Sequence, residues 1–61
     1  MTKEQLEAVM KAAHAVFMAA NEELHAAHAK GDYALSKTAE AKFYEAFSEF
    51  REAHEAYEAV Q

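Results

Sequence analysis

Apolar residues recur along the first half of the chain in steps of four and three. The stripe runs Leu6, Met10, Ala13, Phe17, Ala20, Leu24 and Ala27. That spacing is the seam of an amphipathic helix, with Met10, Phe17 and Leu24 at a positions and alanines largely at d. After an interruption at Gly31-Asp32 the same period returns as Ala39, Phe43, Ala46, Phe50, Ala53, Tyr57 and Val60. The pattern predicts helices over 3–30 and 33–60. Thr2 and Gln5 have the spacing of a capping box at the first start. Gly31 suits a left-handed helix stop, and Asp32 suits the cap of the second helix.

Folded at Gly31-Asp32, the two stripes meet in pairs whose residue numbers total sixty-three, and most pairs set a small side chain against a larger one. Met10 faces Ala53, Ala13 faces Phe50, Phe17 faces Ala46, Ala20 faces Phe43, and Leu24 faces Ala39. Leu6 with Tyr57 (two large) and Ala27 with Ser36 (two small) close the ends. Such complementarity allows two antiparallel helices to approach closely and still fill the space between them. The same register sets Glu23 opposite Lys42 on one edge and Glu7 opposite His54 on the other. A parallel pairing would need a long crossover that the chain does not possess. The fold class expected is all-α: an antiparallel helical hairpin forming a single domain over residues 1–61, each helix roughly 42 Å long at 1.5 Å per residue.

Composition narrows the picture further. There are 61 residues, one glycine, no proline and no cysteine. Neither disulfides nor a thiolate zinc site can staple so small a core, and a cytoplasmic setting is expected. No apolar run is long enough to span a bilayer, and the first residues lack the pattern of a signal peptide. The net charge is −5. An acidic chain repels phosphates and anionic lipid, so neither nucleic acid nor membrane is an expected partner.

One hairpin leaves two apolar faces uncovered. The first carries His14, Met18, Asn21, His25, Tyr44, Phe47 and His54, with Tyr33 and His28 toward the turn. The second is smoother and carries Val9, Ala12, Val16, Ala19, Leu35 and Ala56. Large contiguous apolar surface marks an interaction site. A homodimer forming a four-helix bundle would cover one of these faces. The aromatic face is preferred because burying it gains more, while small residues on the other allow close backbone approach.

The histidines admit a different chemistry. His25 and His28 are spaced to chelate one ion, but His14 and His54 lie roughly 10 Å apart along the bundle by helix rise. A single chain therefore closes no four-ligand site, and no metal or other cofactor is expected; only a symmetric dimer would assemble His14, His25, His28 and His54 further. Protonation would also place positive charge on this face, making a pH-responsive interface a related reading. The run Glu45, Glu49, Glu52, Glu55 and Glu58 reads as a solvated helix face interrupted by Arg51. No nucleophile–base–acid arrangement exists, and the carboxylates lie on convex surface, so no enzymatic activity is expected.

In length and in its alternation of small and large core layers, the chain resembles the Rop family of RNA-binding antiparallel hairpin dimers. The opening Met1-Thr2-Lys3 is also similar. That resemblance implies a homodimeric four-helix bundle. Rop-type RNA binding uses polar, basic and aromatic residues along the first helix, where this chain has Met10, His14, Met18 and His25. In style the chain also looks like small accessory proteins of bacteriophages, which often disable a host protein. The function expected is a non-enzymatic protein-interaction module, an inhibitor or adaptor that binds a host or regulatory protein through a helical face. The alternatives are a histidine-rich metal-binding bundle and a structural or designed assembly without ligand.

Overall fold

A computed structural model describes residues 1–60; Gln61, the end of the expected domain, lies outside the described residues. Two helices account for nearly all of it: α1 over Lys3–Lys30 and α2 over Tyr33–Ala59. They pack side by side as a rod with Cα extents of 43 × 13 × 13 Å. The length agrees with helices of 28 and 27 residues. No helix among the described residues is long and apolar enough to cross a membrane.

Local chemistry sets the boundaries. The Thr2 hydroxyl accepts from the Gln5 backbone N–H at 3.1 Å, and the Thr2 N–H donates to Gln5 Oε1 at 2.8 Å. This reciprocal box satisfies two of the donors that a helix start leaves unpaired. α1 stops at Gly31, whose φ of 69° is left-handed and whose N–H donates to the His28 carbonyl at 3.1 Å. Asp32 Oδ1 then accepts from the Leu35 N–H at 3.0 Å and starts α2. One residue therefore separates the stop of the first helix from the first turn of the second. A Cβ at position 31 would meet no atom within 4 Å, so any penalty there is conformational alone. Gly31→Ala is expected to cost about 1 kcal/mol, the cost of a left-handed residue bearing a Cβ. Urea unfolding followed by circular dichroism measures it, and an unchanged midpoint would show that the turn relaxes to another conformation.

α2 ends one residue earlier than the period predicts. Val60 is its C-cap, 48% exposed, with its N–H on the Tyr57 carbonyl at 3.3 Å. The second stripe therefore closes at Tyr57, because the partner helix begins at Lys3 and offers nothing apolar for Val60 to cover.

Burial follows the paired stripes. The buried side chains are Ala20, Ala27, Ala39 and Ala46, and Ala27 is only 2% exposed. Their larger partners Phe43, Leu24 and Phe17 stay half-buried, as do Leu6, Met10, Phe50 and Tyr57. No large side chain is fully buried among the described residues. The alanines occupy the line of closest approach, where a longer side chain would hold the helices apart. The larger residues must spread sideways over the seam. Of the two edge pairs, Glu23 and Lys42 meet across the helices at 3.8 Å. Glu7 and His54 do not. Glu7 bonds Lys11 at 3.0 Å and His54 bonds Glu58 at 3.2 Å, each one turn along its own helix. A partner four residues away is held by the helix itself, so it competes well with one across the seam.

Candidate functional site

The large residues spill to one side, and their place in the heptad says why. Around a helix the a position borders e and b, whereas d borders g and c. In α1 the a positions are Met10, Phe17 and Leu24, and in α2 the equivalent row is Phe43, Phe50 and Tyr57. The d rows hold Ala13, Ala20 and Ala27, and Ala39, Ala46 and Ala53. Large residues therefore lie on one flank of the seam in both helices, and alanines line the other.

On the crowded flank the rings form a connected chain. Phe17 is central: its centroid lies 5.2 Å from Phe43, 5.7 Å from Phe47 and 5.9 Å from Phe50, stacked on the last at 9°. Phe43 meets Tyr44 edge-on at 5.6 Å. At the other end Phe50 touches His14 at 5.3 Å and His54 at 6.0 Å. These separations fall in the range where aromatic pairs add about 0.5–1.5 kcal/mol to their burial. The chain thus joins four residues of the expected aromatic face, His14, Tyr44, Phe47 and His54. It also recruits three that the periodicity assigned to the seam, Phe17, Phe43 and Phe50. Tyr44 remains 63% exposed, Phe47 43% and Met18 44%.

Toward the turn this flank becomes polar. Asn21 is half-buried and His25 is exposed. His28 lines a shallow depression with Gly31, Asp32, Tyr33, Ser36 and Glu40. Lys37 lies over the Tyr33 ring at 5.5 Å. Toward the termini Lys3 lies over the Tyr57 ring at 5.8 Å and joins the two helices there.

The opposite flank is a groove with an alanine floor. Val16, Ala19 and Glu23 of α1 and Lys42, Glu45 and Glu49 of α2 wall its central part over Ala20 and Ala46. It continues past Ala26, Lys30, Leu35 and Thr38 over Ala27 and Ala39. Val16 and Ala19 of the expected smooth face therefore line its central part and Leu35 the part toward the turn. Val9, Ala12 and Ala56 continue that flank toward the termini as exposed side chains. Charged side chains of both signs, Glu23, Glu45, Glu49, Lys30 and Lys42, stand among the small and apolar residues of its walls.

The candidate metal ligands are not gathered. Among the described residues, no three histidine, aspartate or glutamate side chains are grouped so as to hold an ion. His14 and His54 are instead spaced along the ring chain on either side of Phe50, and His54 is engaged by Glu58. No buried side-chain polar atom lacks a hydrogen-bond partner among the described residues. The molecule is thus a rod with one aromatic flank and one groove floored by alanine. Comparison of the chain with protein-family models, with curated proteins and with solved structures finds no match in any of the three.

Proposed function

We propose that this chain is a non-enzymatic protein-interaction module, an inhibitor or adaptor of a regulatory or host protein, and that the aromatic flank is its working surface. One observation carries the reading: Phe17, Phe43, Tyr44, Phe47 and Phe50 form a connected ring chain along a flank that two helices cannot cover. Aromatic and Met side chains are the residues enriched in interface cores. A second hairpin laid on this flank makes a four-helix bundle, and a homodimer is part of the proposal. The mechanism is steric. A preformed rod whose side chains are already held by ring contacts loses little entropy on docking, so a modest patch is effective.

Affinity capture from a lysate tests the functional half. The bait is the unaltered chain beside Tyr44→Asp on the aromatic flank and Val16→Asp in the groove. Both substituted positions are more than half exposed. Retention of a specific protein that is lost with Tyr44→Asp and kept with Val16→Asp supports the reading. The reverse pattern transfers recognition to the groove, and no retained protein removes the inhibitor reading.

A further inference from the structure

The aromatic flank bears charges at both ends, and their order along the rod selects what lies on it. We propose that the occupant is a second copy of the chain running in the opposite direction, with the two-fold axis crossing the rod at Phe47. This rests on the flank being the interface, and adds the identity and register of its partner.

Two symmetric arrangements lay this flank on itself. With the axis along the rod, α1 of one copy lies on α2 of the other and each level meets itself. Flank residues whose numbers total sixty-two then face each other. Glu4 meets Glu58, Lys11 meets Arg51, and His25 meets Lys37. The first two set like charges together, which opposes association, and the third leaves Lys37 facing no carboxylate.

With the axis across the rod, α1 lies on α1 and α2 on α2, head to tail. Placed at Phe47, that axis sets α1 residues totalling thirty-two and α2 residues totalling ninety-four against each other. Glu4 then meets His28, Glu7 meets His25, and Glu40 meets His54. Lys11 meets Asn21, His14 meets Met18, Tyr44 meets Phe50, and Phe47 meets itself. Imidazole donates to carboxylate in its neutral form as well as its charged one. None of these pairs sets like charges together. Three of the four histidines face a glutamate, and the fourth, already against Phe50, faces a methionine.

The position of the axis has independent support. By level, the ring chain from Phe50 to Phe43 is centred on the midpoint of the rod, so reversing one copy lays rings on rings. The flank is also large enough. Cα extents of 43 × 13 Å, widened by side chains, approach the ~800 Å² per partner of a standard stable interface.

The chain has no cysteine, so single cysteines report the register. Phe47→Cys, Glu7→Cys, His25→Cys, Lys11→Cys and Arg51→Cys are made on exposed or half-exposed positions, and helicity by circular dichroism verifies each fold. Sedimentation equilibrium gives the mass, and a short bismaleimide gives the contacts. The expected result is a dimer in which Phe47→Cys links to itself. In the same dimer, a mixture of Glu7→Cys with His25→Cys links at least about tenfold more than either alone. Linking of Lys11→Cys to Arg51→Cys in place of these pairs would overturn the reversed arrangement and leave the aromatic interface standing. A monomer that still retains a target through Tyr44 would overturn the second copy as occupant while the recognition reading survives. A monomer that retains nothing overturns both.

Discussion

Replacing Phe17 by alanine is expected to remove about 3 kcal/mol of stability, at the lower end of the range for deleting a core phenylalanine. The ring is half-buried, so less apolar area is at stake than in a sealed core, but it contacts three phenylalanines of α2 at 5.2–5.9 Å. Without it Phe43, Phe47 and Phe50 lose an α1 ring that each of them contacts. A chain of this length has roughly 3–9 kcal/mol in total at the usual stability per residue. The loss is therefore a large share, and a urea titration should show the midpoint fall by a third or more. The exchange Phe17→Ala with Ala46→Phe then separates two explanations of the fold. If only the combined volume of a facing pair matters, the exchange restores most of the stability. The lopsided seam requires otherwise. Position 46 lies on the alanine side, 4% exposed where the helices come closest. A ring there wedges α1 from α2, and overpacking costs about 1–3 kcal/mol of its own. The double variant is expected to be no more stable than Phe17→Ala alone. Recovery to within about 1 kcal/mol of the unaltered chain would show that the direction in which the large residues lean is incidental.

That lean marks how far the sequence alone reaches. The helix starts, the turn and the antiparallel register follow from Thr2, Gln5, Gly31, Asp32 and the repeating stripe, because caps and periodicity are local properties. Glu23 and Lys42 meet as the register requires. The Glu7–His54 pair fails since each side chain has a nearer partner on its own helix. Val60 keeps the period but stands level with Lys3, the first residue of the opposing helix, where a repeat has nothing apolar left to bury against. Counting facing pairs treats the seam as a line, and on a line Phe17, Phe43 and Phe50 look like interior residues. Their contribution to the surface emerges only when the a and d rows are given sides. Reading side-chain size by heptad row, not by pair, would have exposed it. The groove depends on the same asymmetry, since its floor is the alanine row. The histidines illustrate the opposite limit. Their common flank is legible, whereas the placing of His14 and His54 on either side of Phe50 depends on where that ring sits.

The largest single effect is expected from Phe47→Asp, and it should fall on association more than on the hairpin. Phe47 is 43% exposed in the lone hairpin, so a carboxylate there keeps much of its water and disturbs folding of one copy only moderately. In the reversed dimer the same position lies on the axis. Two carboxylates would then be brought together among aromatic rings, each with only Arg51, one turn along its own helix, to offset it. Desolvating such charges costs several kcal/mol per ion, and their mutual repulsion adds to it. The dimer should therefore weaken by at least about a thousandfold, since 1.4 kcal/mol is a factor of ten in affinity. Because association stabilises the folded hairpin by mass action, the thermal midpoint of the unaltered chain should rise with concentration. Where the folded chain is almost wholly dimeric, a hundredfold increase is worth about 2.7 kcal/mol per dimer. Phe47→Asp should lose that dependence and melt at one lower temperature whatever the concentration, whereas Val16→Asp, in the groove, should keep it. Melts of all three chains at two concentrations, with sedimentation equilibrium on the same samples, supply the measurement. If the unaltered chain melts at a concentration-independent temperature and sediments as one hairpin, the aromatic flank stays open in the free protein, and its rings are held ready for a target instead.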